Sequence, residues 1–408
     1  MGTKRISFAI TMRPMPFVLT RNLYARDEVE VSLFTAFLQE KSLKEIYFWA
    51  YELHYSGFDV FDVLWRIYYD VYFELNPALE VYLSKKQNEW NNTKNPDVFA
   101  WCIKNMKFCK PSSKVFVLRQ LAEVSDNKGG TAYRGRPPSW CSDHPKKYHT
   151  WLRAISKKDY PNIAHHTYNL ARRCDGEVDS MFRELAAYFA RNSHVEPNAD
   201  DYWNARTYKQ DDAHYLLSII IFLLGHSDGD GNGNGDGDGN GNGDERHMLP
   251  PLEKDLSLFR EFGCDHIEGC PQFNILHERR LYGVNPSIGG FVLARHHDVR
   301  VTVLNDLNEV DSIWERFVFD TPYWVRRFES LGATYDTVNN RVCFPSEDAS
   351  EKFYELYGCE PDEQTSQVRD KSLGDIPLCG WRDWYDVVFN EPSVVDFDAT
   401  FRFAVSIV

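Results

Sequence analysis

No apolar run in the sequence is long enough to cross a membrane. The longest, from Tyr215 to Gly225, falls well short of the roughly 20 residues that a membrane-spanning helix requires, so it predicts a buried helix. Arg13, Pro14 and Pro16 interrupt the basic amino-terminal stretch, which does not fit a signal peptide. Ile6 stands where the myristoylation pattern requires Ser or Thr. We expect a soluble intracellular protein without a membrane partner.

The common catalytic motifs are also missing. The sequence contains no G-x-x-x-x-G-K-[ST], G-x-G-x-x-G, G-x-S-x-G or H-E-x-x-H, which are the usual signatures of nucleotide, acyl-transfer and zinc-hydrolase chemistry. The nine cysteines, an odd number spread along the chain, favour free thiols in a reducing compartment. We therefore predict no cofactor and favour a non-enzymatic role, while an enzyme with an unrecognised site stays open.

Acidic residues outnumber basic ones by 60 to 46, which gives a net charge of −14. This excess argues against nucleic-acid binding over the whole surface, because phosphate contact needs a concentrated basic face, but it leaves a local basic patch open. Aromatic residues make up 15% of the chain, so much of the buried area is expected to come from Tyr, Phe and Trp.

Two helices near the start are clearly indicated. Ser42 and Glu45 form a capping box, and Gly57 ends the apolar periodicity that follows. Asp59 is a cap for a second amphipathic helix, which Asn76-Pro77 interrupts. Helices joined by so short a turn pack antiparallel. We predict a mainly α fold, with helical hairpins in the amino-terminal half and an α-rich α+β carboxy-terminal half that has a little antiparallel sheet.

The domain boundaries follow from changes in composition. We predict a helical-hairpin domain, a basic Pro/Gly connector, a second helical unit, a low-complexity linker and a mixed α+β region, at residues 1–124, 125–147, 148–226, 227–247 and 248–408. The second unit aligns with residues 34–75, so that Leu53 meets Leu170 and Trp65 meets Phe182. Either the unit is a duplication, or two unrelated amphipathic hairpins align by their shared periodicity.

The linker contains a tract from Asp228 to Asp244 in which glycine alternates with Asp and Asn. From Asn234 onward it approaches the calcium-binding loop pattern, but it has Asn at the first position and Gly241 at the eighth. A two-residue repeat matches many spacing templates by chance. With glycine at every second position the chain has maximal backbone freedom and nothing to bury, which predicts a flexible linker.

One basic motif and one cysteine/histidine cluster are candidate sites. The RGRP stretch resembles the core of an AT-hook, and together with two nearby lysines it is a candidate nucleic-acid contact or else a plain basic turn. The residues are Arg134, Gly135, Arg136, Pro137, Lys146 and Lys147. The second cluster has zinc-ligand chemistry but lacks a C-x2-C knuckle, and buried free cysteines are the alternative. It consists of Cys264, His266, Cys270 and His277.

Large aromatic residues of the first hairpin are candidates for an interaction surface. If they lie on outer faces of the helices, they offer the amphipathic anchors that protein interfaces favour. The candidates are Trp49, Tyr51, Tyr55 and Tyr69.

Several stretches resemble a family of uncharacterised proteins from giant nucleocytoplasmic large DNA viruses. They are YFWAYELHYSGF at 47–58, WRIYYDVY at 65–72, LHERRLYGVNPSIGGFVLARHHD at 276–298, TPYWVRRF at 321–328 and KFYELYGCEPDEQ at 352–364. The resemblance implies a viral protein that acts in the host cytoplasm or viral factory or is packaged in the virion, and it implies no activity.

The pattern W-A-x-E-L-x-x-S-G at 49–57 is also similar to the C-terminal helical region of clamp-loader-like AAA+ ATPases, which drives oligomerisation. Without a P-loop, the likeness implies an interaction module alone. We therefore expect an interaction or scaffold protein that contacts viral or host proteins. The alternative is a nucleic-acid-binding accessory factor for viral replication or transcription that uses the RGRP turn.

Overall fold

The computed structural model describes residues 18–124, 133, 135–173, 178–192, 212–226, 248–260, 282–285, 290–293, 314–339, 341–357, 385–386, 388–389 and 391–395. In these residues the protein is mainly α-helical, with two small two-stranded antiparallel sheets, which confirms the predicted fold class. The predicted zinc ligands at 264–277 and the Gly/Asp/Asn tract lie outside the described residues.

Eleven helices are described between residues 26 and 260. They are α1 (Arg26–Leu38), α2 (Leu43–Tyr55), α3 (Val60–Val71), α4 (Leu79–Thr93), α5 (Asp97–Lys107), α6 (Lys114–Val124), α7 (His149–Ser156), α8 (Tyr160–Arg173), α9 (Val178–Asn192), α10 (Asp212–His226) and α11 (Glu253–Arg260). Of two short 3-10 helices, Ser139–Asp143 lies in the predicted connector and Lys146–Tyr148 crosses its end; Cys141 and Tyr148 are their buried residues.

The predicted caps of the first hairpin are present. Ser42 Oγ accepts a hydrogen bond from the backbone N–H of Glu45 at 3.2 Å, which satisfies one open donor at the start of α2. Asp59 Oδ1 does the same for Phe61 at the start of α3, at 2.9 Å. Gly57 between the two helices has φ +87°, a conformation that residues with a Cβ rarely adopt.

One large hydrophobic cluster contains side chains from α1 to α11 and from residues 385–395. Helix α10 is buried from Ala213 to Leu224 and packs against α3, α6, α8 and α9, as a helix that is apolar on all sides requires. This confirms the buried helix expected around Tyr215 to Gly225. Both predicted helical units therefore contribute to one core, and the proposed domain boundaries stay a prediction.

The predicted internal alignment has a counterpart in the helix boundaries. Helices α7, α8 and α9 fall at the positions that the alignment pairs with α1, α2 and α3. Helix α1 packs against α2, and α7 likewise packs against α8. Duplication itself stays a prediction.

A second, smaller cluster forms around aromatic residues near the carboxy terminus. It includes α12 (Trp314–Val318), α13 (Pro322–Ser330), α14 (Glu347–Tyr357) and the hairpin of β3 (Thr334–Asp336) with β4 (Arg341–Cys343). The hairpin is antiparallel, with Tyr335 opposite Val342, and its innermost pair is Asp336 opposite Arg341. Another antiparallel pair consists of β1 (Tyr282–Asn285) and β2 (Gly290–Leu293), with Tyr282 opposite Leu293.

The segment before α1 joins the two clusters. Leu19 and Leu23 are buried in the second cluster, while Tyr24 is buried in the first. The backbone N–H of Leu19 donates to Phe317 O at 2.9 Å, and Trp324 Nε1 donates to Arg21 O at 3.2 Å. The clusters are thus connected through a segment that hydrogen-bonds to the smaller one.

Candidate functional site

A buried carboxylate on α2 holds this joining segment. Glu52 accepts hydrogen bonds from Arg21 Nε at 2.8 Å and from Asn22 Nδ2 at 2.7 Å through Oε2. Its other oxygen accepts the backbone N–H of Asn22 at 3.0 Å. Glu52 is fully buried and Arg21 is 1% exposed, so both charges are enclosed and paired. Such a pair positions the chain segment rather than a substrate.

A second enclosed ionic group links α3, α6 and α10. Asp70 binds the Arg119 guanidinium with two bonds, 2.8 Å to Nε and 2.6 Å to Nη2, and His214 Nε2 lies 3.0 Å from Asp70 Oδ1. Burial alone raises the pKa of the Asp70 carboxyl, but Arg119 and His214 together hold it below its usual value. The combination of His and Asp is typical of catalytic sites, yet all three side chains are completely buried. This ionic group therefore ties three helices together inside the core.

Two further carboxylates lie at the edge of the same core. Glu74 pairs with Lys114 and accepts a hydrogen bond from Ser112 at the start of α6. Glu391 accepts bonds from the backbone N–H and the hydroxyl of Ser113, at 3.0 and 2.9 Å. The carboxy-terminal segment is therefore attached to the first turn of α6. Both carboxylates therefore hold chain segments together at the start of α6.

The predicted interaction surface is corrected by the structure. Trp49, Tyr51 and Tyr69 are each 0% exposed, and only Tyr55 is half-buried. Helix α2 is buried from Ile46 to Leu53, because α1, α3, α5 and α11 pack around it. The Tyr51 ring stacks on Phe259 of α11, with ring centroids 5.1 Å apart. The unbroken apolar and aromatic run of this helix was the sequence signal for burial on every side.

The predicted basic residues are at the surface. Gly135, Arg136 and Pro137 are exposed, as are Lys146 and Lys147, while Arg134 lies outside the described residues. The structure adds two cations that sequence reasoning missed. The Arg153 guanidinium carbon lies 5.1 Å and Lys157 Nζ 4.5 Å from the centroid of the Tyr133 ring. Arg153 lies in the last turn of α7 and Lys157 directly follows the helix, so a spacing of four residues was the available signal.

Three exposed apolar residues lie on segments that meet at the carboxy-terminal end of α5. The side chain of Asn105 binds the backbone of Leu249 twice. Its Oδ1 accepts the Leu249 N–H at 2.9 Å, and its Nδ2 donates to the Leu249 carbonyl at 3.2 Å, which holds residues 248–252 against the helix. Phe108 is 61% exposed, Leu249 45% and Leu252 50%. Leu75 is 43% exposed and precedes Asn76, whose Nδ2 donates a hydrogen bond to the carbonyl of Lys110, two residues after Phe108. We call Leu75, Phe108, Leu249 and Leu252 the α5-end surface.

The described residues show neither a metal site nor a membrane span. Within the described ranges, no group of three or more His, Cys, Asp or Glu side chains is placed to hold a metal ion. None of the helices that the structure describes combines the length and the apolar character that crossing a bilayer requires.

Comparison with known proteins returns no relative. No protein-family model, no curated protein and no solved structure matches this chain.

Proposed function

We propose that the chain is a non-enzymatic helical interaction protein that acts through protein–protein contacts. The observation that carries this proposal is the α5-end surface, where Phe108, Leu249 and Leu252 are about half exposed although apolar. Contiguous exposed apolar groups mark interaction sites on otherwise polar surfaces. Large aromatic residues are favoured anchors of such interfaces, which assigns the central role to Phe108.

The charges around this surface indicate the chemistry of the partner. Lys104, Lys107 and Lys110 belong to or follow the last turn of α5, and Lys104 Nζ also donates to Pro250 O at 2.6 Å. Complementary charge at an interface rim selects the partner and speeds association. The preferred partner is a protein with an apolar centre and an acidic rim.

The interior supports a binding role over an enzymatic one. The polar groups that resemble catalytic arrangements, Asp70 with His214 and Glu52 with Arg21, are enclosed and paired with one another. A catalytic group must reach its substrate within hydrogen-bond distance. We extend the proposal to the setting that the sequence resemblance implies, an infected cell in which the protein contacts viral or host proteins in the cytoplasm or viral factory.

The test compares two double variants of the full chain. F108E/L249E places charge on the α5-end surface, and V338E/L356E makes the same change at two other exposed apolar residues, 89% and 57% exposed. Each is expressed with an affinity tag in infected cells, and the bound proteins are identified. We expect F108E/L249E to lose partners that wild type and V338E/L356E retain, with unchanged thermal unfolding. Equal retention by both variants overturns the proposal.

A further inference from the structure

A short stretch of the chain concentrates positive charge although the protein as a whole is acidic. Residues 133–158 contain seven Lys and Arg residues and a single acidic residue, Asp143, in a chain whose net charge is −14. The stretch consists of the basic turn, the two 3-10 helices and α7. The second 3-10 helix packs against α7, and Tyr133 of the turn contacts Arg153 and Lys157, so the cations lie on neighbouring elements.

Three acidic groups in or beside this region have partners of their own. Asp143 forms an ion pair with Arg191 of α9 at 2.8 Å. Asp159 Oδ2 accepts a hydrogen bond from the Tyr133 hydroxyl at 2.6 Å and another from Asn162 Nδ2 at 2.7 Å. Glu184 lies 2.6 Å from His144 Nδ1, so this carboxylate too has a partner within the stretch.

The backbone of the region is held in shape. Pro138 (φ −52°, ψ 151°) and Pro145 (φ −57°, ψ 136°) both have the extended polyproline conformation. Tyr133 fixes the start of the turn, because its hydroxyl binds Asp159 and its ring contacts Arg153 and Lys157. A segment that is already ordered loses less conformational freedom when it binds.

The exposed cations are distributed rather than focused on one point. Arg136 lies in the turn, Lys146 and Lys147 in the second 3-10 helix, and Lys157 at the end of α7. A single phosphate or carboxylate is bound by converging donors, whereas a polymer with a regular series of phosphates suits separated cations. The large apolar residues that the structure shows exposed all lie outside this stretch, which leaves no apolar anchor for insertion into a lipid surface.

We propose that the exposed cations of residues 133–158, the basic face, bind nucleic acid through its phosphate backbone. Arg136, Lys146, Lys147 and Lys157 make the phosphate contacts, and Arg153 with Tyr133 supports them. The face is separate in residues from the α5-end surface, so this activity is additional to protein binding. Backbone contact gives an affinity that depends steeply on salt and weakly on sequence.

The test measures binding of the full chain to a fluorescent duplex DNA by anisotropy over a range of salt concentrations. With four phosphate contacts, the plot of log K against log salt is expected to have a slope of about −3 to −4. K146E/K147E should reduce the slope by about 2 and weaken binding roughly tenfold or more at moderate salt. The matched control K44E/K254E, which reverses two exposed lysines elsewhere, should bind like wild type.

Binding to single-stranded DNA and to duplex RNA is measured in the same way, because both carry the same phosphate backbone charge. Binding of either supports the proposal. Poly-glutamate and vesicles with anionic lipids test the other polyanions. The proposal is overturned if wild type does not bind any nucleic acid at low salt. It is also overturned if both double variants lose affinity equally, or if poly-glutamate or vesicles compete as well as nucleic acid of equal charge. Retention of captured proteins by K146E/K147E separates this result from the test of the α5-end surface.

Discussion

The two hydrophobic clusters of this protein are organised by different interactions. The larger one encloses two buried ion pairs, Glu52 with Arg21 and Asp70 with Arg119, and every side chain of these pairs is less than 2% exposed. The smaller one is built from rings, in which Trp314 and Trp324 lie 4.9 Å apart, centroid to centroid. Directional ionic contacts have strict geometric demands, while ring packing tolerates adjustment. The larger cluster therefore contains ion pairs that link particular chain segments, whereas ring contacts predominate in the smaller one.

The largest expected effect comes from removing one partner of an enclosed pair. D70A leaves the Arg119 guanidinium and His214 in the core without their carboxylate, and we expect it to lower the free energy of unfolding by about 3–5 kcal/mol. Urea denaturation of the full chain measures this. The double variant D70L/R119M removes both charges and should cost clearly less. A D70A protein as stable as wild type contradicts the organising role of the pair.

The ring cluster is tested by F353A. The Phe353 ring is fully buried and stacks on Phe328 with centroids 5.0 Å apart, so truncation leaves a cavity that costs about 3 kcal/mol. F353L retains most of the volume and should cost about 1 kcal/mol. Limited proteolysis should show cleavage within 314–357 in F353A before the larger cluster unfolds. If the α1–α11 region is cleaved first, the two clusters do not differ as described.

A pH-dependent effect is expected at a carboxyl group in the larger cluster. Burial raises the pKa of Glu80 to about 7, although the hydrogen bond from the Tyr69 hydroxyl, 2.7 Å long, lowers it. Since the folded protein holds this proton more tightly than the unfolded chain, the associated stability is complete below about pH 4.5 and is lost as the pH rises through 7. Wild type should therefore be destabilised over this interval.

The variant E80Q isolates this contribution. It cannot ionise, so relative to wild type it should gain about 3 kcal/mol between pH 4.5 and pH 8, measured by urea denaturation at each pH. The control E89Q changes a carboxylate that is 46% exposed and should leave the pH profile as it is in wild type. A parallel profile for E80Q and wild type excludes Glu80 as the titrating group.

Local signals in the sequence predicted the local structure well. The caps at Ser42 and Asp59 start helices where expected, and the apolar helix α10 is buried. Each of these features depends on residues that are close in sequence, so the local sequence was enough to predict it.

Long-range packing was beyond such reasoning. Asp70 and Arg119 are 49 residues apart, and Arg21 and Glu52 are 31 apart, so neither pair has a spacing signature. The burial of Trp49 depends on helices that arrive on every side of α2. The exposed basic turn was predicted, but its support by Arg153 depends on how the turn folds back onto α7.

The joining segment around Leu19 has a consequence for any attempt to divide this protein. This segment lies near the amino terminus but packs into the smaller cluster, whose other residues lie near the carboxy terminus. In the opposite direction, Glu391 accepts a hydrogen bond from Ser113 at the start of α6. Fragments cut at the glycine-rich tract would each carry an unfinished surface whose complement lies on the other fragment. Produced together, they should reassemble like the halves of a split reporter, whereas each alone should need a solubilising fusion.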